Sequence, residues 1–243
     1  KNSVSAKQYF DVNTGLTIKI YDWFLKSTAT RFIFFSSIKA LVDRPGDYPL
    51  TEEVIPSPEG FYGKSKRAAE EYILNNLPRQ VERLVYILRP AMIYGPGNKG
   101  NLNLLYRFVK TNMPWPLGAF TNQRSFCSID NLICILLRLV SNPIPSGIYH
   151  IADDEYMSTN ELVTYIAEGL NRKPCIVDLP VSIVKAAAWA GSVFYLPFNR
   201  ERLKKLTENY MVSNSKIKMA LNIQQLPVRA HKGIVQTIKS FAK

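Results

Sequence analysis

The 243 residues are 47% hydrophobic and 21% charged, which excludes disorder, a collagen-like repeat and a small disulfide scaffold. Lys and Arg outnumber Asp and Glu by 31 to 19, a formal net charge of +12, so the surface field attracts anions. The basic residues are dispersed and lack the aromatic interleaving of a nucleic-acid groove, which argues against nucleic acid as partner.

From Ser5 to Lys26 the apolar residues Phe10, Val12, Leu16, Ile18, Tyr21, Phe24 and Leu25 recur at helical spacing. Arg31 to Ser37 is a short apolar run, the pattern of a buried parallel strand, and it ends in two serines. Pro45, Gly46, Pro49, Pro56, Pro58 and Gly60 then predict a long surface loop. A helix is expected from Phe61 to Asn76 and a second buried strand from Arg83 to Arg89, closed by Pro90. This alternation predicts an α/β protein with a parallel sheet and right-handed crossovers.

Beyond the turn Tyr94-Gly95-Pro96-Gly97, a helix is expected near Leu102 to Thr111. Short strands follow at Ser125 to Ile129 and Gly147 to Ile151, with an apolar helix from Asp130 to Val140 between them. Ser158, three residues before Glu161, marks a capping box for a helix to Gly169. A strand is predicted after Pro174. Pro180 to Tyr195 forms a helix that is apolar nearly all round and too short to span a bilayer. Its plain reading is a buried helix of a second subdomain, while the basic neighbours Arg200 to Lys205 also suit a peripheral membrane contact. Cys127, Cys134 and Cys175 lie far apart with no C-x-x-C pair, so neither a disulfide framework nor a zinc site is expected. With no basic leader and no spanning segment visible, a cytoplasmic location is the expectation.

Ser36 and Ser37 stand at the carboxyl end of a buried strand, where open α/β sheets place their ligand crevice. Tyr62 and Lys66, at i and i+4, project from one helix face. An ammonium near a phenol favours the phenolate, so the pair can act as a base toward an alcohol, with Ser37 hydrogen-bonded to the same oxygen. Spacing alone is weak: Tyr106 and Lys110 repeat it with no serine-ended strand before them. Gly63-Lys64-Ser65 lacks the earlier glycine of a phosphate-binding P-loop, because that position is Pro58. His150 and His231 lie at no metal or triad spacing and are read as structural, so no metal is expected.

The pieces Phe10 to Asn13, Phe32 to Ser37, Tyr62 to Lys66, Leu88 to Gly97, Arg124 to Phe126 with Asp130 to Leu132, and Tyr149 to Ala152 span most of the chain. In them the chain resembles the extended short-chain dehydrogenase/reductases of the NAD-dependent sugar epimerase/dehydratase family. The resemblance implies a Rossmann-type parallel sheet with helices on both faces, plus a smaller C-terminal substrate-binding subdomain. Residues 1–95, with 128–152 returning, would form the NAD(P)-binding part; 96–127 and 153–243 would form the substrate part.

Carried over at matching positions, Ser37, Tyr62 and Lys66 would be catalytic. Asn13, Ser36, Tyr62, Lys66 and Pro90 would meet the cofactor, with Thr17 on the same side. Ser37, Lys39, Asn101 and Arg124 would meet a diphospho-sugar substrate. The cofactor implied is NAD, with NADP left open, and the resemblance also implies a homodimer paired through the helices Ser5 to Lys26 and Phe61 to Asn76.

Three departures matter. No glycine-rich phosphate turn precedes the first matched helix, so the opening strand is expected upstream of Lys1. Ile38 and Lys39, not an Asp-Glu pair, follow Ser37, which disfavours dehydration. Met92 stands where many members carry a polar residue, which leaves the nucleotide open. The expected activity is 4-epimerisation of a lipid- or nucleotide-diphospho-sugar through a transient 4-keto sugar. A net reductase or dehydrogenase of the same fold, and a non-catalytic dinucleotide-binding regulator, are the alternatives at this stage.

Overall fold

The structure, a computed structural model, describes residues 5–98 and 101–241, the side chain of Asn101 excepted. In chain order the elements begin with α1 (Ala6–Phe10), a π-helical turn (Asp11–Leu16), α2 (Thr17–Lys26) and β1 (Arg31–Phe35). A 3-10 turn (Ile38–Ala40), α3 (Phe61–Asn75), β2 (Leu84–Pro90), β3 (Met92–Tyr94) and α4 (Asn101–Lys110) follow. Then come β4 (Arg124–Ser128), α5 (Ile129–Ser141), β5 (Gly147–Ile151), β6 (Tyr156–Met157) and α6 (Thr159–Gly169). The chain closes with α7 (Val181–Val193), α8 (Arg200–Thr207), α9 (Ser215–Ala220) and α10 (Ala230–Phe241). It divides into two compact units: Lys1–Met92 with Asn131–Ala152 and Val212–Pro227, and Ile93–Asp130 with Asp153–Met211 and Val228–Lys243. Residues 212–227, expected in the substrate part, fall in the first of these units.

In the first unit β1, β2 and β5 form a parallel sheet in that order, with Phe35 opposite Leu88 and Arg89 opposite His150. One face carries Phe34, Val85 and Ile87, which pack against Tyr21 and Phe24 of α2 and Ala69 and Ile73 of α3. The long helix predicted from Ser5 to Lys26 is interrupted. Ser5 and Gln8 form a capping box at α1, and the π turn then inserts its extra residue per turn. The phase of the apolar stripe shifts there, leaving Val12 and Leu16 exposed while Tyr21 and Phe24 are buried.

Among the described residues, strand β5 has β2 on one side only. Its outward N–H at His150 donates to Glu52 Oε1 at 2.7 Å, and its outward carbonyl at Ile148 accepts from Lys216 Nζ at 2.8 Å. Side chains thus satisfy an edge that would otherwise pair with another chain. This is why residues 212–227 belong to this unit: Val212 bridges to Leu50, and Lys216 caps the edge. The loop predicted for residues 38–60 is accordingly partly packed, with Leu41, Val42 and Leu50 buried.

The second unit holds a small sheet ordered β3-β4-β6, in which β4 and β6 run antiparallel. Helix α6 packs on α10 so closely that a Cβ at Gly169 would lie 2.7 Å from Ile238 Cβ. Tyr94 donates to Asp153 Oδ2 at 2.8 Å, and Asp153 Oδ1 accepts from the Ser128 amide at 2.9 Å. The strand predicted after Pro174 is instead a pair of isolated bridges, Trp115 to Ile176 and Leu117 to Asp178. Helix α7 is not a buried helix: of its residues Val184, Ala188 and Gly191 are buried and most others face solvent.

His150 is fully buried; its Nδ1 donates to the Leu50 carbonyl at 3.3 Å and its Nε2 has no partner among the described residues. Burial first, then the Arg89 guanidinium, pull its pKa down to about 3. The folded protein therefore keeps it neutral while the unfolded chain protonates near pH ~6.5. Its contribution to stability is present above that pH and is lost as pH falls toward about 3, with a slope of at most about 1.4 kcal/mol per pH unit. His150→Asn keeps a donor for Leu50, and its urea-unfolding free energy should fall less steeply with acid than that of the unaltered protein; identical slopes would contradict the assignment.

Candidate active site

Strand β1 delivers Ser36 and Ser37 to its carboxyl end. Ser36 is buried, and its hydroxyl donates to Glu70 Oε1 at 2.6 Å. Glu70, on α3, has no exposure; it also accepts from Arg89 Nε at 2.8 Å and Nη2 at 2.6 Å, and Arg89 on β2 is 1% exposed. A two-pronged guanidinium–carboxylate pair satisfies charges that burial alone would not tolerate. One side chain of α3 is thereby fastened to β1 and β2 together.

Glu70 lies one turn beyond Lys66, which lies one turn beyond Tyr62, so the three share a stripe. Lys66 Nζ donates to the Phe35 carbonyl at 2.8 Å and sits 5.0 Å from the centre of the Phe34 ring. Burial lowers its pKa, and the Glu70 carboxylate opposes the shift. Its ammonium is thus tied to the strand end that carries Ser37. Tyr62 is 39% exposed, with the Tyr9 ring edge-on at 6.0 Å between centres.

Gly63 explains how α3 reaches that strand end. A Cβ there would lie 2.3 Å from the Lys39 carbonyl oxygen and 3.0 Å from Pro58 Cβ. Only glycine allows the first turn of α3 to touch the 3-10 turn that Ser37 caps. Ser37 is half-buried, and its Oγ accepts from the Lys39 amide at 3.2 Å. The second Tyr-x-x-x-Lys pair is different in kind: Tyr106 is buried edge-on to Phe241, with Lys110 over its ring.

The remaining expected residues fall as follows. Asn13, in the π turn, donates to Ser65 Oγ at 3.0 Å, and Ser65 donates to the Tyr62 carbonyl at 2.9 Å. Thr14 donates to the Ser65 carbonyl at 2.7 Å, and Thr17 to that of Asn13 at 2.8 Å. The π turn therefore braces the start of α3. Lys39 Nζ donates to the Asp43 carbonyl at 3.0 Å. Pro90 closes β2, opposite Ile151, and is buried. Asn101 opens α4, and its side chain lies outside the described residues. Arg124 belongs to the second unit, where its guanidinium donates to the Lys205 carbonyl; burial lowers its pKa and Glu208 opposes this.

Residues 1–152 match the NAD dependent epimerase/dehydratase family. The chain belongs to that family. It is 31% identical over 239 residues to the UDP-glucose 4-epimerase of Vibrio cholerae, covering 96% of this chain and 70% of that protein. It is 27% identical over 216 residues to the N-acetyl-alpha-D-glucosaminyl-diphospho-ditrans,octacis-undecaprenol 4-epimerase of Escherichia coli O157:H7, covering 86% and 61%. The fold is that of the Bordetella bronchiseptica enzyme WbmG in complex with NAD and UDP, with a TM-score of 0.74 at 15% identity over all of this chain and 69% of the other. A UDP-glucose 4-epimerase of Thermotoga maritima with UDP-glucose gives 0.70 at 19% identity, covering 98% and 71%.

This epimerase/dehydratase carries the NAD dependence of its family, and its donor set fits a dinucleotide: an ammonium and an exposed phenol beside a parallel-strand end. The spelling G-x-G-x-x-G does occur at Gly95 to Gly100. It follows β3 of the small second sheet, and Gly95 is pressed on Ile129, where a Cβ would lie 2.4 Å from Cγ2. That glycine serves packing, not a cofactor turn. His231, read as structural, meets Glu168 at 2.7 Å on an exposed face of the second unit.

Glu70, Arg89, Gly63 and Ser65 hold positioning roles not expected from the sequence. Two signals were visible: Glu70 extends the Tyr62–Lys66 stripe by a further turn, and Arg89 is the lone charge at the end of an apolar strand. Glu70→Gln should cost about 3–5 kcal/mol of unfolding free energy, because it strands the Arg89 charge. Replacing both, as Glu70→Leu with Arg89→Met, should recover most of that loss. Chemical denaturation of the three proteins measures this, and a single-variant loss below about 1 kcal/mol would contradict a tightly coupled pair.

Proposed function

We propose that this protein is a 4-epimerase of a sugar carried on a diphosphate, with Tyr62 as its acid/base. The observation that supports this reading best is the convergence of α3 on the end of β1: Gly63 seats the helix against Lys39, and Lys66 is tied to Phe35. NAD, when bound, supplies reversible acceptance of hydride from the sugar carbon. Tyr62 Oη takes the proton of the adjacent ring hydroxyl and later returns it. Lys66 keeps a positive charge one turn away, stabilising negative charge as it develops on the phenol oxygen. Ser37 donates to the same substrate oxygen. Ser36 acts from behind, through Glu70, and Asn13 through Ser65, both holding α3 in place, while Pro90 closes the strand beside them.

Because the sugar leaves at the oxidation level at which it entered, the reaction is redox-neutral overall. Arg124 is proposed as a cation for the diphosphate, the role a guanidinium's paired donors suit; Lys39 and Asn101 are proposed as further substrate contacts. The named relatives act on UDP-glucose and on an undecaprenol-diphospho-sugar, which supports a diphosphate carrier without choosing between nucleotide and lipid. Val12, Leu16, Ile20 and Trp23, all 48% exposed or more, line one side of the first helical stretch and are proposed as a homodimer face.

With NAD and UDP-glucose or UDP-N-acetylglucosamine supplied, the 4-epimer should accumulate by NMR with no net absorbance change at 340 nm. Tyr62→Phe should lower turnover by about 10²–10⁴-fold with NAD still bound. A steady change at 340 nm would assign the protein to net oxidoreduction instead. Unaltered turnover in Tyr62→Phe would remove the phenol from the chemistry. For the dimer face, Trp23→Glu should shift the protein to monomer in sedimentation equilibrium, and an unchanged mass would contradict that face.

A further inference from the structure

Helix α7 turns Val184, Ala188 and Gly191 inward. At about 100° per residue, the side away from that triad carries Ile183, Ala186, Trp189 and Val193. Trp189 is 52% exposed, and the chain continues into Phe194, Tyr195 and Leu196 at 70%, 93% and 52%. A run of large apolar side chains pointing to solvent is a contact surface, not ordinary surface scatter.

This surface is built. A Cβ at Gly191 would lie 1.8 Å from the Phe198 carbonyl oxygen, so the segment after α7 folds back hard against the helix. Tyr195 makes the turn with φ at 53°, the Leu196 amide donates to the Gly191 carbonyl at 2.8 Å, and the Arg200 amide donates to Ser192 Oγ at 3.0 Å. Asn199 then caps α8 by accepting from the Arg202 amide at 3.0 Å. The apolar turn is pinned at both ends.

Its charge is one-sided. No Asp or Glu occurs from Leu179 to Arg200. Lys185 flanks the apolar side, and α8 adds exposed Arg200, Arg202 and Lys204. The one acid among them, Glu201, is bonded to Lys205 at 2.6 Å. Arg200 and Lys204 make no ion pair among the described residues. Aromatic and aliphatic side chains flanked by free cations match the headgroup boundary of an anionic bilayer. A second copy docked face to face would set the same cations against one another. No helix among the described residues is long and apolar enough to cross a membrane, so this contact is peripheral.

We propose that the α7–α8 surface docks this protein on an anionic bilayer. This docking does not rest on the epimerase reading. The test is co-sedimentation with vesicles of phosphatidylcholine alone and of phosphatidylcholine with about 30% phosphatidylglycerol. The protein should sediment with the anionic vesicles, less so at high salt, and Trp fluorescence should shift to shorter wavelength.

Arg200→Glu with Lys204→Glu should weaken vesicle binding at least about tenfold. Phe194→Ser with Leu196→Ser should do the same, and both pairs should keep circular dichroism and turnover of a soluble UDP-sugar unchanged. Absence of binding to either vesicle, or equal binding to both, would overturn the docking. So would self-association that Phe194→Ser with Leu196→Ser abolishes, which would assign the surface to a second copy. Vesicle binding without turnover of any diphospho-sugar would instead overturn the epimerase reading and leave the docking standing.

Discussion

A carboxylate with no solvent exposure organises the first unit. Glu70 receives two bonds from Arg89 on β2 and one from Ser36 just after β1, besides a longer one from Arg67 on its own helix. Such a charge can stay buried only while its partners are in place, so the orientation of α3 relative to β1 and β2 is over-determined. The consequence reaches the surface two turns away. Lys66 and Tyr62 follow the same stripe toward the helix start, and Gly63 lets that start press on Lys39. Removing the carboxylate would therefore loosen the geometry of residues it never touches.

The electrostatics of Lys66 follow from the same arrangement. Its amine gives up water to lie against Phe34, which favours loss of its proton, while the Phe35 carbonyl and the Glu70 carboxylate favour keeping it. A lysine poised between these influences can hold a positive charge in a half-dry site without being locked into a salt bridge, which suits a group that must stabilise charge transiently on a neighbour.

How far the sequence foretold this differs from element to element. Strand β5 was expected and found at Gly147 to Ile151, and the capping box at Ser158 forms with both of its bonds; such features rest on local chemistry, which a window of residues contains. The π turn at Asp11–Leu16 defeats a helical template because one extra residue rotates everything after it. The apolar exterior of α7 defeats it for another reason: periodicity reports how apolar residues are spaced, not what covers them. Residues 212–227 join the first unit because Lys216 and Val212 satisfy backbone groups remote in sequence, and no local pattern announces such a partner. Around the candidate site, the approach of the start of α3 to the serine-ended strand was readable from spacing and strand context, and the Lys66 bond to the Phe35 carbonyl realises it. Glu70 and Arg89 were not readable, since their meeting depends on the register of α3 over the sheet.

The central claim is that the phenol of Tyr62 and the hydroxyl of Ser37 address one substrate oxygen with Lys66 behind them. A crystal structure with NAD and a diphospho-sugar bound measures this directly. The account predicts Tyr62 Oη and Ser37 Oγ each within about 2.6–3.2 Å of the same ring hydroxyl, with Lys66 still on the Phe35 carbonyl. A sugar whose reacting carbon lies beyond reach of Tyr62, with another side chain against its hydroxyl, would contradict it.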